Sequence, residues 1–332
     1  MKSTDDAMLP TGSAIVLGSI NVDTFIHVDS FPEPGETILA RSSAAGLGGK
    51  GANQAMAAAL LGAEVQFLAQ IGEDMAGDFA REQLDSFGVS RQLLMTSDDD
   101  PTGAAHVTVN SQGENTIAVV PGANARICIT ELSQKFLQAL DLSLAPITVG
   151  LAQGETSVEA VEAFARQCQA LGIRFVLNLA PFIELNKEVL ALADPLIMNE
   201  GEAQTLLRSF TGCEAPLEDL PSALAAAQLV AEKLAKSAII TLGTAGAVAS
   251  DGAGSWHQPS PLPEQVVDTT GAGDAFAGAA VALLSGGASL RDAVCAGVAA
   301  GSIAVRRTGT ASSYPCAKQL ALLMATGKIW AP

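Results

Sequence analysis

The chain has 332 residues, 48% of them hydrophobic, which suits one large α/β domain with an attachment or two domains. Its 18 lysines and arginines face 35 aspartates and glutamates, a net charge of −17 with no basic stripe to displace counterions, which excludes nucleic acid and anionic membrane as partners. No run of about 18 apolar residues predicts a membrane span, and Cys128, Cys168, Cys213, Cys295 and Cys316 lack CxxC or Cys/His spacing, which predicts reduced thiols in a cytoplasmic protein and no structural zinc.

Residues 1–12 have no apolar segment of the signal-peptide kind and are expected to form a flexible tail. Ser13 to Leu17 is a short apolar run, read as a buried first strand that delivers Asn21 and Asp23 at its C-terminal end, where open α/β sheets bind ligands. In residues 24–45 the prolines at 32 and 34 separate Phe25, Ile26 and Val28 from Thr37-Ile38-Leu39, which predicts two short strands about a turn. Residues 103–120 repeat that pattern around Asn110 to Glu114. Two hairpins inserted in a βαβ chain predict one small sheet standing off the main one, as a lid or a dimer contact.

Between the hairpins, Gly46, Gly48 and Gly51 satisfy G-x-G-x-x-G, but no apolar strand directly precedes them, so a dinucleotide fingerprint is rejected. A phosphate-binding Walker loop also fails, because Ala44 stands where glycine is needed and Gly51 follows Lys50. What remains is a glycine-rich entry to a helix, with Lys50 and Asn53 at its mouth, suited to a polyhydroxyl ligand. Val65 to Ile71 then reads as a buried strand. From residue 130 onward, apolar runs at 146–151, 173–179, 195–198 and 238–242 alternate with helical stretches at 131–141, 157–171, 202–208 and 222–236, the pattern of a parallel sheet with crossover helices. Glu155, Asn178, Asn199, Glu202 and the segment 241–246 all fall at strand ends and are expected on one edge.

Residues 266–284 predict a strand at Val266-Val267, a tight turn through Gly271-Ala272-Gly273, and a helix opening with Asp274. The first N–H groups of such a helix form an anion cradle. Asp274 is then either a first-turn acid complementing the helix dipole, or a general base placed where migrating phosphoryl charge is stabilised. Two further helices, 289–305 and about 316–325, enclose a loop with Arg306 and Arg307 followed by small hydroxyl residues.

Several segments taken together, GSINVD (18–23), FPEPGET (31–37), GGKGANQA (48–55), NEGE (199–202), TLGTAG (241–246) and DTTGAGDAFAG (268–278), resemble the ribokinase-like carbohydrate kinase family from about residue 13 to 325. The resemblance implies a three-layer α/β/α fold with a mostly parallel sheet. Residues 13–23, 46–102 and 121–327 would form the kinase domain, and 24–45 with 103–120 a small β lid through which the protein forms a homodimer. It implies transfer of the γ-phosphoryl group of ATP to the 5-hydroxyl of D-ribose, or else of 2-deoxyribose, another pentose or a nucleoside. A silent sugar-binding protein is the alternative of another class, disfavoured because Asp274, Gly271 and Gly273 are all retained.

By the same resemblance Asp274 is the base, and the N–H groups of Gly271, Ala272 and Gly273 hold the transferring group. Asn21, Asp23, Gly49, Lys50, Asn53 and Glu155 hold the sugar. ATP is met by Asn199, by Thr241, Leu242, Gly243, Thr244, Ala245 and Gly246, and by Gly273 and Val298. Glu202 orders water around Mg²⁺, and Asp268, Thr270, Ala304, Arg307, Gly309 and Ser313 surround an activating K⁺. Three departures stand out: Val298 sits where relatives often have Asn or His, Asn178-Leu179-Ala180-Pro181 replaces Asn-Pro-Ala-Pro, and residues 309–315 resemble deoxyribokinases as much as ribokinases.

Overall fold

A computed structural model describes residues 9–212, 216–261 and 266–326. Cys213, residues 1–8 of the expected tail and residue 327 at the expected domain end lie outside them. The chain begins with β1 (Ser13–Leu17), β2 (Asn21–His27) and β3 (Ser42–Gly48), followed by α1 (Lys50–Leu60). Next come β4 (Glu64–Leu68), β5 (Gln70–Gly72), α2 (Met75–Ser86), β6 (Met95–Ser97), β7 (Gly103–Val109) and β8 (Asn115–Val120). Then α3 (Ile129–Leu142), β9 (Ile147–Gln153), α4 (Val158–Ala170), β10 (Arg174–Asn178), α5 (Lys187–Leu190) and β11 (Ala193–Asn199) alternate. The last part holds α6 (Glu200–Thr211), α7 (Leu220–Lys233), β12 (Ala238–Thr241), β13 (Ala247–Ser250), β14 (Ser255–Gln258), α8 (Ala272–Ser285), α9 (Leu290–Ala304) and α10 (Ala317–Ala325).

Eight strands form the main sheet in the order β14-β13-β12-β11-β10-β9-β1-β4, parallel from β12 through to β4 and antiparallel at the β14-β13-β12 edge. The parallel strands are buried on both faces, which explains why they read as unbroken apolar runs. One core layer, with Met56, Phe67 and Phe276, packs α1, α8 and α9 on one face of the sheet. The other, with Phe136, Phe164 and Phe175 edge to face, packs α3, α4, α6 and α7 on the opposite face. From β1 the chain winds first to β4 on one side and later to β9 on the other, so the direction reverses at the end of β1, where open sheets form their ligand crevice. Among the described residues, no helix is long and apolar enough to cross a membrane.

A second sheet, β3-β2-β7-β8, stands apart, and its outer strand β8 is exposed along its whole length. It begins at Asn21 rather than at residue 24, and its second strand is Ser42–Gly48 rather than Thr37 to Leu39. Asn21 and Asp23 therefore belong to the small sheet and are not the tail of β1. A strand does precede the glycine-rich entry to α1, but it is mostly exposed, small in its side chains and outside the main sheet, unlike a dinucleotide-binding strand. Val65 to Ile71 divides at Ala69 into β4 and β5, the latter pairing with β6. Val266 and Val267 form no strand: β14 already occupies that sheet edge, and Val267 N–H donates to Val305 O at 2.8 Å, beside the end of α9. Residues 9–12 are docked rather than loose, with Leu9 against the core and Gly12 N–H on Ser285 Oγ at 3.0 Å.

Candidate active site

The Ala-rich helix α8 is buried along almost its whole length, because glycine lets it lie close to α1. A Cβ on Gly278 would come within 2.5 Å of Ala57 Cβ and 2.6 Å of Gln54 O. Asp274 lies one turn before Gly278 on the same face, so it is carried to α1 as well. It is 5% exposed, and both carboxylate oxygens accept an amide N–H: Oδ1 from Gln54 Nε2 at 2.8 Å and Oδ2 from Asn53 Nδ2 at 3.1 Å. Burial pushes its pKa above the ordinary carboxylate value, against the pull of Lys50 and of these two amides.

The helix starts at Gly271, whose φ of 74° is left-handed, and no side chain caps it. Ala272 N–H already donates to Thr269 O at 3.2 Å. Among the described residues the N–H groups of Gly271, Gly273 and Asp274 have no internal acceptor. Tyr314, which nothing in the local sequence marks, fills the space beside Gly271, and its buried hydroxyl has no partner.

On the small-sheet side, Ser19, Asn21, Asn124, Glu155 and Thr156 line a cavity of about 420 Å³. Glu155 Oε2 accepts from Ser19 Oγ at 2.6 Å and from Lys50 N–H at 2.9 Å, which ties the end of β9 to the start of α1. A Cβ on Gly49 would lie 2.8 Å from Ser19 O, so α1 starts hard against the segment between β1 and β2. Burial opposes the Lys50 ammonium, yet Asp274, Glu155 and Glu202 outweigh it and hold Lys50 above its ordinary pKa. Asn21 Oδ1 accepts from Asn124 Nδ2 at 2.9 Å, and Asn124 also bonds both backbone groups of Ile20 at 2.9 Å. Asn124 was not foreseen, since its partners lie over 100 residues away in sequence. Asp23 Oδ1 is buried without a partner, and burial, with Glu155 adding to it, lifts Asp23 to about 6.

On the other side of the glycine turn, a cavity of about 310 Å³ is lined by Thr241, Gly243, Thr244, Gly246, Gly273 and Val298, together with Phe276 and Val305. Three expected members do not line it. Leu242 packs into the core, Ala245 presents its carbonyl to His257 Nε2 at 2.7 Å, and Asn199 caps α6. The cap is reciprocal: Glu202 N–H donates to Asn199 Oδ1 at 2.9 Å and Asn199 N–H to Glu202 Oε2 at 2.8 Å. Asp268 accepts from Thr270 N–H at 2.9 Å and Gly309 N–H at 3.0 Å, joining the two segments expected about a cation. In the second of these, Ala304 O accepts from Arg307 N–H at 3.3 Å and Ser313 Oγ donates to Thr310 O at 2.7 Å.

The buried carboxylate of Asp274 thus bonds α1, whose first N–H meets Glu155 of the small-sheet cavity, and is next in sequence to Gly273, which lines the other cavity. Residues 12–317 match the pfkB family carbohydrate kinases. A ribokinase of Haemophilus influenzae is 37% identical over 300 residues, which cover 90% of this chain and 94% of that protein. A deoxyribokinase of Salmonella typhi is 31% identical over 305 residues, covering 92% of this chain and 96% of its own. An Arabidopsis thaliana ribokinase solved with ribose and ATP has a TM-score of 0.84 at 29% identity, covering 94% of this chain and 98% of that one. With a match from residue 12 to 317 and a buried acid at the glycine-lined start of α8, the chain belongs to the pfkB family of carbohydrate kinases.

Proposed function

We propose that the protein transfers the γ-phosphoryl group of ATP to the 5-hydroxyl of D-ribose. The observation that carries this reading is the place of Asp274, bonded to Asn53 of α1, the helix whose first N–H meets Glu155 of the small-sheet cavity, and next in sequence to Gly273, which lines the other cavity. Asp274 takes the hydroxyl proton as the sugar oxygen bonds to the γ-phosphorus, and the bond from that phosphorus to the β-phosphate oxygen breaks to release ADP. The open N–H groups of Gly271 and Gly273 meet the charge on the transferring oxygens. Asn21, Asp23, Lys50, Asn53 and Glu155 hold the sugar hydroxyls, with Gly49 admitting them to bare backbone. Val298 with Thr241, Gly243, Thr244 and Gly246 of the segment 241–246 hold the nucleotide.

Mg²⁺ fits beside Glu202, because one carboxylate oxygen caps α6 and the other is left to accept from a metal-bound water. K⁺ fits the segments joined by Asp268: both carboxylate oxygens there are spent on backbone N–H, so Thr270, Ala304, Arg307, Gly309 and Ser313 would serve through carbonyl or hydroxyl oxygens. Mg²⁺ would neutralise phosphate charge, and K⁺ would steady the anion turn. The small sheet closes over the sugar. Its outer strand carries Ile117 and Val119 at 57% and 59% exposure, apolar surface that suits a second copy of the chain; a monomer in sedimentation at micromolar concentration would remove the dimer.

The test is turnover of ribose, 2-deoxyribose, other pentoses and nucleosides with ATP, with and without Mg²⁺ and K⁺. Ribose is expected to have the highest kcat/KM. The deoxyribokinase relative favours a second reading, with 2-deoxyribose as acceptor. It displaces the first if loss of the 2-hydroxyl costs less than about tenfold, roughly 1.4 kcal/mol. ATP hydrolysis indifferent to every sugar would reject both.

Asp23 makes sugar binding sensitive to pH. Its unpartnered oxygen accepts from a sugar hydroxyl more strongly when ionised, so ribose affinity is expected to fall as pH drops below about 6, and Asp23→Asn should flatten the profile. Calorimetric titration between pH 7.5 and 5, about tenfold per unit at the steep limit, checks this. For the sugar-free fold the sign is opposite. A raised carboxylate favours folding below its ordinary 3.8, and that contribution is lost as pH rises through about 6.

A further inference from the structure

Gln54 is fully buried in α1 among Ala52, Ala55, Met56, Ala57 and Ala58, where an apolar side chain would avoid the cost of desolvating an amide. Its Nε2 donates to Asp274 Oδ1 and to Asn178 Oδ1, at 2.8 Å each, which spends both amide hydrogens. The orientation of this amide is set by Asn178. Asn178 Nδ2 donates to Ile197 O at 3.2 Å, so its Oδ1 faces Gln54 and asks for a donor. A flipped Gln54 would set an oxygen against two acceptors. The reach to Asp274 is built in as well, since the backbone of Gln54 lies at Gly278, one turn along α8 from the acid.

Resting on the kinase reading above, we propose that Gln54 is a positioning residue for the base. Its amide pins Asp274 Oδ1 so that the carboxylate faces the acceptor hydroxyl, and Asn178 acts through Gln54 by fixing which end of that amide points at the acid. Gln54 holds neither sugar nor nucleotide, so its loss should separate turnover from binding.

The experiment compares Gln54→Met, Asn178→Leu and the double variant with the unaltered enzyme, after turnover of ribose has been established for the latter. Q54M is expected to lower kcat about ten- to hundredfold with KM for ribose within about threefold. The acid limb of its kcat–pH profile should move up by about one unit, because a donor to the ionised carboxylate has gone. N178L should move the same limb by less. The double variant should be no slower than Q54M, since Asn178 acts only by way of Gln54. A limb that stays in place with kcat within about twofold, or a double variant whose loss is the product of the two single losses, would overturn the proposal. Should Q54M not fold, Gln54→Glu keeps the length but turns an acceptor toward Asp274. Its limb must also move up, and an unmoved limb rejects the assignment.

Discussion

Asp274→Asn is expected to lower kcat by about 10²–10⁴, or 3–5 kcal/mol of barrier, while ribose affinity measured by calorimetry stays within about threefold. The substitution keeps the shape of the side chain and removes its basicity. It also places an NH₂ group where one carboxylate oxygen accepted a hydrogen bond. The site can absorb this on the Asn53 side, because Asn53 Oδ1 is buried without a partner and an amide flip presents it to the new donor. Gln54 has no such freedom, being held by Asn178, so the remaining oxygen at position 274 should stay facing Gln54. Lys50 keeps Glu155 and Glu202 as countercharges, and the fold is expected to survive. The acid limb of the kcat–pH profile should vanish with the carboxylate. Undiminished turnover would remove Asp274 from the mechanism, and lost ribose binding would mean that its role is to hold the sugar.

Much of this site can be read from the chain because parallel strands, covered on both faces, appear as apolar runs, and polar residues directly after them must lie at one sheet edge. That logic places Glu155, Asn178, Asn199 and Thr241 correctly with respect to β9, β10, β11 and β12. It fails where the chain leaves the main sheet. Only three residues separate β1 from Asn21, which yet opens a strand of another sheet, and Ser42–Gly48 has neither alternation nor bulk to announce a strand. The short antiparallel edge β13-β14 is interrupted by a turn at Asp251 to Gly254 and was likewise not anticipated. Residues that serve others carry little local signal. Gln54 is the last polar residue before an apolar run in α1, and Tyr314 and Asn124 gain their meaning only from neighbours brought by the fold.

Two glycines of the cradle should fail in different ways, and the contrast tests the assignment of the turn. Gly271→Ala puts a Cβ on a residue with φ of 74°, within 2.6 Å of Tyr314 Oη and 3.3 Å of Thr310 Cγ2. Left-handed backbone costs a non-glycine residue about 1–2 kcal/mol before any clash is counted, and the buried phenol has little room to withdraw. Thermal unfolding should fall by several degrees, and displacement of the cradle N–H groups by even about 1 Å should cost roughly 10² in kcat. Gly273→Ala meets nothing within 4 Å in the protein and sits inside α8, where alanine is the better helix former, so stability should hold or rise slightly. Its methyl group would stand in the cavity that Gly273 lines, where a phosphate must reach the bare backbone, and turnover with ATP should fall by at least about tenfold. Ribose binding should survive in both variants, because neither glycine belongs to the sugar-side cavity. Were Gly273→Ala to keep full activity, the charge on the transferring group would have to be met elsewhere than at the start of α8. An active and stable Gly271→Ala would instead show that the turn yields around Tyr314, and that its left-handed geometry is not what aims the N–H groups.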